Sequence, residues 1–542
     1  MDDYKKTLLF LLMAMSFVMS GCGGGGDGGE SGSEGSGGDT PTVAELFYSA
    51  YAADGDGYHL YASSVDGLDL PLFPDTVDPL MVSTFVISPD GNYVAMRGRE
   101  FEGGPINLYI DDLRDNAPPM KVSGGDLIGA NLGFKWSPNS TRIAYTSESN
   151  DIGVVGKNLY IVKSDGTGLH KVSELTNIDD EVSVFAWAPN GGKIAYTVKD
   201  VATGEFNLYS AVALEGQTGH IIHPALNGGR VHSFKWAPNS SRIAFWATLD
   251  SSELIELYSA VPVEGLIINL KINMPIGEGG YVSANYDWAP DSSKIAFMAK
   301  QDGDADNALY TTSPVGADRI KIDNNVSSFK WSPDSLKLAY LANVLDSQGP
   351  NNRLLFVYEG GSFLIHPIPA AGGGVNSIYH NSHNSYYWSP DSNMIAFSAR
   401  LSSSEVSQDV PSLYVTIAPF GGFIHTKIFN AGVKNISWAP DSSRLAFMSS
   451  NLLQTGFELF TASPDGSDIR AMNDEIVNEF RNVSSFKWSP DSEYLAFRAS
   501  LFTDDLNTDE LYSVTATGMD NIKVSVPLTL GNDVGPDFSW VP

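Results

Sequence analysis

Residues able to do chemistry lie along this 542-residue chain in small groups rather than in one motif. Asp302-Gly303-Asp304-Ala305-Asp306 places three carboxylates at alternate positions, like the opening of a loop that wraps a hard cation with oxygens. Ser313 stands where such a loop would end in glutamate, and Asp54-Gly55-Asp56 is shorter still. Asp302, Asp304, Asp306, Asp54 and Asp56 are therefore the candidates for Ca2+, with solvated turn acids as the alternative; no other cofactor is expected. The close histidine pairs, His220/His223 and His380/His383, would need further metal ligands from distant segments, so polar strand or loop histidines are the simpler reading. Asp504, Asp505, Asp509, His380 and His383 join the Asp302–Asp306 group as candidate ligand contacts. Trp246 joins them as an aromatic contact, against a packing role. There is no G-x-S-x-G elbow, Walker loop or H-E-x-x-H helix, so no catalytic residue is assigned.

What positions these groups is a repeat. Nine of the ten tryptophans, Trp136, Trp187, Trp236, Trp288, Trp331, Trp388, Trp438, Trp488 and Trp540, fall 43 to 57 residues apart. Eight of the nine are followed by Ser or Ala, then Pro, then Asp or Asn, and Ile87 opens a further such motif. A period near fifty means a repeat architecture. In Phe329-Lys330-Trp331 the aromatics alternate as in a strand, and Ser332-Pro333-Asp334-Ser335 suits a type I turn. Leu338-Ala339-Tyr340 returns as a second strand, a Leu-Tyr or Leu-Phe pair marks a third, and a further turn leads to a fourth. Four antiparallel strands per repeat make a propeller blade. The small alanines 144, 195, 244, 296, 339, 396, 446 and 496 are expected to leave room for a neighbouring blade's aromatic.

The expected fold is all-β, a β-propeller of about ten four-stranded blades over residues 43–542. Phe538-Ser539-Trp540 is a first strand with nothing after it, and Leu46-Phe47-Tyr48 is a second strand with nothing before it. Pairing them completes one blade and removes an exposed edge. Two smaller propellers are the competing layout. In each blade the loop entering the first strand and the loop joining the second to the third share one end. That end gathers acids: Glu100 and Glu102; Asp250, Glu253 and Glu256; Asp302, Asp304 and Asp306; Asp504, Asp505, Asp509 and Glu510. Variable loops on a fixed frame are where binding usually resides.

The recurring W-S-P-D-S-x-x-[IL]-A-[FY] block resembles the TolB-type propeller, found also in non-catalytic propellers of the tricorn and dipeptidyl-peptidase families. The resemblance covers about residues 43–542 and implies contacts with envelope proteins. The chain departs from TolB in lacking a separate amino-terminal α/β domain and in its amino-terminal signal.

That signal is Lys5-Lys6, an apolar run from Leu8 to Met19, and Met19-Ser20-Gly21-Cys22. The run is too short to span a bilayer but suits a signal-peptide core. Its ending resembles the lipobox of bacterial lipoproteins, which implies a signal peptide over 1–21 and lipidation of Cys22. Cys22 is the single cysteine, so disulfides and Cys-bound metals are excluded. Residues 22–42, rich in Gly and Ser, read as a flexible tether. Export is therefore expected, with the acyl chain as membrane anchor. In a Gram-negative cell this would be the outer membrane, facing the periplasm or the surface.

The net charge of −31 disfavours nucleic acid, whose phosphates need clustered Lys and Arg. The expected function is a monomeric, non-enzymatic binding or scaffold propeller of the cell envelope, engaging a protein, peptide or glycan through its acidic loop rim or channel. The competing class is a propeller-fold glycan lyase or hydrolase with a channel active site; a third is an anchored spacer.

Overall fold

The computed structural model describes residues 45–541 except 52–56, 65–68, 72–79, 116, 124–132, 149–155, 176, 178, 227, 250–253, 265–266, 302, 305, 347–348, 360–385, 400–411, 418–424, 431, 451–455, 473–480, 504–505, 520–521 and 526–533. Cys22, the tether, Asp54, Asp56, Asp302, Asp504, Asp505, His380 and His383 all lie outside the described residues.

The fold is all-β, a β-propeller of ten antiparallel blades; nine are four-stranded and one shows three strands among the described residues. Two compact units share them. Residues 1–121 with 484–542 form the first, holding blade one (strands from Glu45 to Pro71, completed by Val534–Trp540), blade two (Met81 to Lys121) and all of blade ten (Arg481 to Lys523) but its first three residues. Residues 122–483 form the second, with blade three from Phe134 to Lys171, four from Glu181 to Ile221, five from Arg230 to Lys271 and six from Tyr281 to Asn324. Blade seven, Val326 to Glu359, is the three-stranded one, and blades eight and nine run from Tyr386 to Phe429 and from Val433 to Ala471. As the sequence predicts, the last strand pairs with the first: Leu46 faces Trp540, Phe47 faces Ser539 and Tyr48 faces Phe538.

The repeat motif maps onto strand register. The aromatic of [IL]-A-[FY] lies opposite the aromatic of the third-strand pair, and the two rings stack. In blades three to nine the pairs are Tyr145/Tyr160, Tyr196/Tyr209, Phe245/Tyr258, Phe297/Tyr310, Tyr340/Phe356, Phe397/Tyr414 and Phe447/Phe460, with centroids 5.3–5.7 Å apart. Each stack adds about 0.5–1.5 kcal/mol beyond the area it buries.

Seams between blades use the remaining motif residues. The alanine between the aliphatic and the aromatic is fully buried and shares a core cluster with the tryptophan of the following blade: Ala144 with Trp187, Ala195 with Trp236, Ala244 with Trp288, and Ala339 with Trp388. The expectation of room left for a neighbouring aromatic therefore holds. Five indole N–H groups of the second unit also donate backward to the preceding blade, Trp187 to the Lys135 carbonyl (3.0 Å), Trp236 to Ala186 (3.1 Å), Trp288 to Lys235 (3.1 Å), Trp388 to Lys330 (3.2 Å) and Trp438 to Tyr387 (3.0 Å), whereas that of Trp331 is buried without a partner among the described residues. Lysines on first strands answer in the other direction: Lys235 donates to the Tyr286 carbonyl and Lys330 to that of Tyr386, each at 2.8 Å.

The S-P-D-S turn holds a device that the type I reading leaves out. Its closing serine donates the turn's own backbone hydrogen bond, Ser335 N–H to Ser332 O at 3.0 Å, but sits at φ 65°, in the left-handed region. That conformation costs a residue with a side chain about 1–2 kcal/mol. The hydroxyl offsets this by accepting the amide of the preceding blade's turn: Asn190 to Ser240, Asn239 to Ser292, Asp291 to Ser335, Asp334 to Ser392 and Asp391 to Ser442, all at 2.9–3.0 Å. Turn and seam are one structure.

Filling the alanine space should be costly. Ala339→Leu is expected to destabilise the chain by about 1–3 kcal/mol, the usual cost of overpacking. A denaturant titration reads this as a lower midpoint at unchanged slope; an unchanged midpoint would mean the seam has slack.

Candidate functional site

The blade end that carries the entering loop and the second-to-third loop is built on a recurring irregularity. First strands shift register against second strands at Val182/Val184 in blade four, Val231/Ser233 in five and Val326/Ser328 in seven, each leaving one residue without an opposite. Such a β-bulge re-aims a side chain. The bulged residue follows a valine and is usually serine; Ser327 returns its hydroxyl to the Leu341 carbonyl of its own second strand at 3.3 Å.

Blade five departs from that pattern twice, in adjacent places. His232 takes the serine position, its Nε2 lying 3.1 Å from Thr248 Oγ1. Trp246 takes a second-strand position that holds Thr146, Thr197, Met298, Leu341, Ser398 and Met448 in the other blades of this unit. The two rings touch, with centroids 4.9 Å apart and planes at 48°. Trp246 is half-buried, and its indole N–H donates to the Val282 carbonyl of blade six at 3.0 Å. Sequence reasoning singled out Trp246; the structure sets it in the seam between blades five and six, packed against their shared core with its polar edge committed and the residue partly exposed. Arg230 and Tyr281, the opening residues of the two first strands, are both exposed, Tyr281 by 46%. Burial, helped by the nearby Arg230 charge, holds the His232 imidazole below its ordinary range, so it is neutral at pH 7. Sequence reasoning missed His232, although V-H-S-F-K-W beside V-S-S-F-K-W carries the signal.

Among the described residues, Asp304, Glu256, Asp509 and Glu510 of the predicted acids have partners. Asp304 accepts from the Tyr310 hydroxyl (2.5 Å) and the Gln301 amide (2.8 Å), and pairs with Lys321 (2.6 Å). Burial works to raise its pKa, but the bonds from Lys321, Tyr310 and Gln301 outweigh that and hold it below the usual carboxylate range. Asp306 is exposed. Glu256, Asp509 and Glu510, expected in loops, instead stand within third strands, Glu256 opening that of blade five and the other two inside Leu506–Thr515. Glu256 pairs with Lys271 and accepts from Tyr258; Glu510 does the same with Lys523 and Tyr512; Asp509 pairs with Arg498 at 2.6 Å. The reason is register: Tyr258 lies opposite Lys271, Tyr310 opposite Lys321 and Tyr512 opposite Lys523 on the fourth strand. A nearby carboxylate then meets a hydroxyl and an ammonium together. Among the described residues no cluster of three or more His, Cys, Asp or Glu is disposed to hold a metal.

Of the pair His220/His223, His223 is buried with both nitrogens committed: Nε2 accepts the Leu208 amide at 3.0 Å, and Nδ1 lies 2.6 Å from the Pro224 carbonyl. Asn273 makes the same two bonds in blade five, to Leu257 N–H and Met274 O. Burial depresses the His223 pKa, so the folded chain resists a proton that the unfolded chain takes near pH 6.5. Stability is thus full above that value. As pH falls below it, stability should drop by up to about 1.4 kcal/mol per pH unit until the folded-state pKa is reached. His223→Asn, which copies blade five, should keep stability at pH 7.5 and remove this share of the acid sensitivity. Equal melting curves for both proteins from pH 7 to 5 would refute the assignment.

Among solved structures, the chain is similar to a eukaryotic initiation factor, at 13% identity over 79% of this chain and 96% of that one, with a TM-score of 0.46. It is similar to an oligogalacturonate lyase from Vibrio parahaemolyticus, at 13% identity over 69% of this chain and 97% of that one, TM-score 0.34. It is also similar to an oligogalacturonate lyase in complex with manganese, at 16% identity, 69% and 97% coverage and a TM-score of 0.33. At these identities and scores the likeness says nothing of ligand or activity. No family model and no curated protein matches the chain.

Proposed function

We propose that this chain is a lipid-anchored, non-enzymatic binding propeller of the TolB type in the bacterial cell envelope, presenting the loop end of its blades to a protein, peptide or glycan. The observation that supports this most is the spending of polar groups on the frame. Indole, serine and lysine donors and acceptors lock successive blades, and the described strand acids are held by tyrosine, lysine and arginine of their own blade. Such a frame is rigid and ligand contact falls to its edges and loops, which suits recognition by a pre-organised surface. The M-S-G-C segment supplies the reading of an anchor at Cys22.

Chemical cross-linking in envelope fractions with Cys22 intact tests the proposal, alongside Cys22→Ser. A discrete cross-linked partner or glycan, with acyl labelling and membrane recovery both lost in Cys22→Ser, is the expected result. Turnover of an envelope polysaccharide without a bound partner would overturn it.

A further inference from the structure

We propose that Arg230, His232, Trp246 and Tyr281, at the edge where blade five meets blade six, form a saccharide-binding subsite. This rests on the binding-propeller reading and names the ligand class of one of its edges. The repeat supplies the first argument. At a bulge where other blades carry serine, and at a second-strand position that holds Thr, Met, Leu or Ser elsewhere in this unit, blade five carries two large rings, and they are in contact. Neither ring is needed to close a blade, since blades four and seven close the same bulge without them.

Chemistry gives the ligand. A sugar ring offers a face of C–H groups, which lies on aromatic rings, and a rim of hydroxyls, which needs groups that both donate and accept. Trp246 and the 46%-exposed Tyr281 supply ring surface. Neutral His232 supplies donor and acceptor: Nε2 is at Thr248, the residue is partly exposed, and Nδ1 is left to a ligand hydroxyl. Arg230 adds exposed donors that cannot lose their charge. The rings are fixed before any ligand arrives, Trp246 by the Val282 carbonyl and His232 by Thr248, so little side-chain entropy remains to be lost. Size decides against a protein. A stable protein interface takes roughly 800 Å² from each partner, far beyond four side chains, whereas one or two sugar rings match them.

The test uses the full-length chain in detergent and a panel of short soluble gluco-, chito- and uronate oligosaccharides, read by calorimetry and tryptophan fluorescence. His232→Ser restores the residue of blades four and seven and should melt with the parent; Trp246→Thr, the residue of blades three and four, also gives up the seam bond to Val282 and should melt lower while staying folded. The expected result is that one saccharide class binds the parent and each variant loses about tenfold or more in affinity, the loss of one hydrogen bond or one stacked ring. Absence of binding across the panel overturns the subsite, as does binding that His232→Ser leaves unchanged. Should Trp246→Thr not fold, His232→Ser decides alone. A cross-linked envelope protein with no saccharide bound would leave the binding propeller standing and remove only this subsite; hydrolysis or lysis of a bound saccharide would do the reverse.

Discussion

Removing residues 534–542 should leave a chain that no longer melts cooperatively and is recovered mainly as aggregate. The deleted strand is the first strand of blade one, although it is last in the sequence. It covers Leu46, Tyr48 and Ala50, which with Ala496, Leu511, Val524, Val534, Phe538 and Trp540 form one buried cluster. Trp540 N–H donates to the Lys487 carbonyl at 3.1 Å, and the Lys487 ammonium donates back to the Phe538 carbonyl at 2.5 Å, so blade ten loses its neighbour as well. Burying side chains such as Val, Phe and Trp gives about 1.5–3 kcal/mol each, before any cavity or lost hydrogen bond is added. The total is on the order of 10 kcal/mol, as large as the whole stability of many folded domains. Glu45–Tyr51 would then be left as an unpaired apolar edge, the usual template for aggregation. Trp540→Ala is the graded form, expected to cost about 3–5 kcal/mol. A truncated chain that stays soluble and melts like the parent would show that the two ends of the chain do not build a common blade.

The same strand shows what could be read from sequence and why. Phe538-Ser539-Trp540 carries the alternation of every other first strand, so its place in a blade follows from its residues alone. The tryptophan, alanine and Leu-aromatic positions are legible for the same reason: each occupies a site whose packing demand recurs about every fifty residues. Elements set by partners in another repeat are different. Ser335 looks like a self-contained turn residue, because nothing in Ser332-Pro333-Asp334-Ser335 shows that its hydroxyl will be met by the Asp291 amide. Asp304 looks like a free loop acid, because Lys321 reaches it through a strand register that the sequence does not print. The bulge at His232 is one extra residue between valine and phenylalanine, visible only once strands one and two are paired. Charge composition located the acids and could not show their neutralisation. Histidine at a serine position was within reach of a repeat-by-repeat alignment.

Gly229→Ala should cost about 3 kcal/mol or more and, in any protein that survives, should disturb the blade-five edge specifically. Gly229 directly precedes Arg230 and is buried; a Cβ there would run into the backbone carbonyl of Thr248, the last residue of the second strand. Its φ is not in the left-handed region, so the demand is for space and not for conformation. Carbonyl oxygen on a paired strand cannot swing aside as a side-chain tip can, so the two strands must part, and overpacking against backbone lies at the upper end of the usual range. Gly280 stands in the same place in blade six, where a Cβ would lie 2.6 Å from the Lys300 carbonyl, and Gly280→Ala should behave alike. Both glycines let a first strand begin hard against the end of a second strand, which fixes where Arg230 and Tyr281 emerge. Parting the strands at Gly229 also moves Thr248, the residue that holds His232. The loss of stability should therefore come with a change in the His232 imidazole signals by NMR, while His223, just past the fourth strand of blade four, keeps its own. An alanine variant with parental stability and unmoved His232 signals would mean that this close approach is not required for the site.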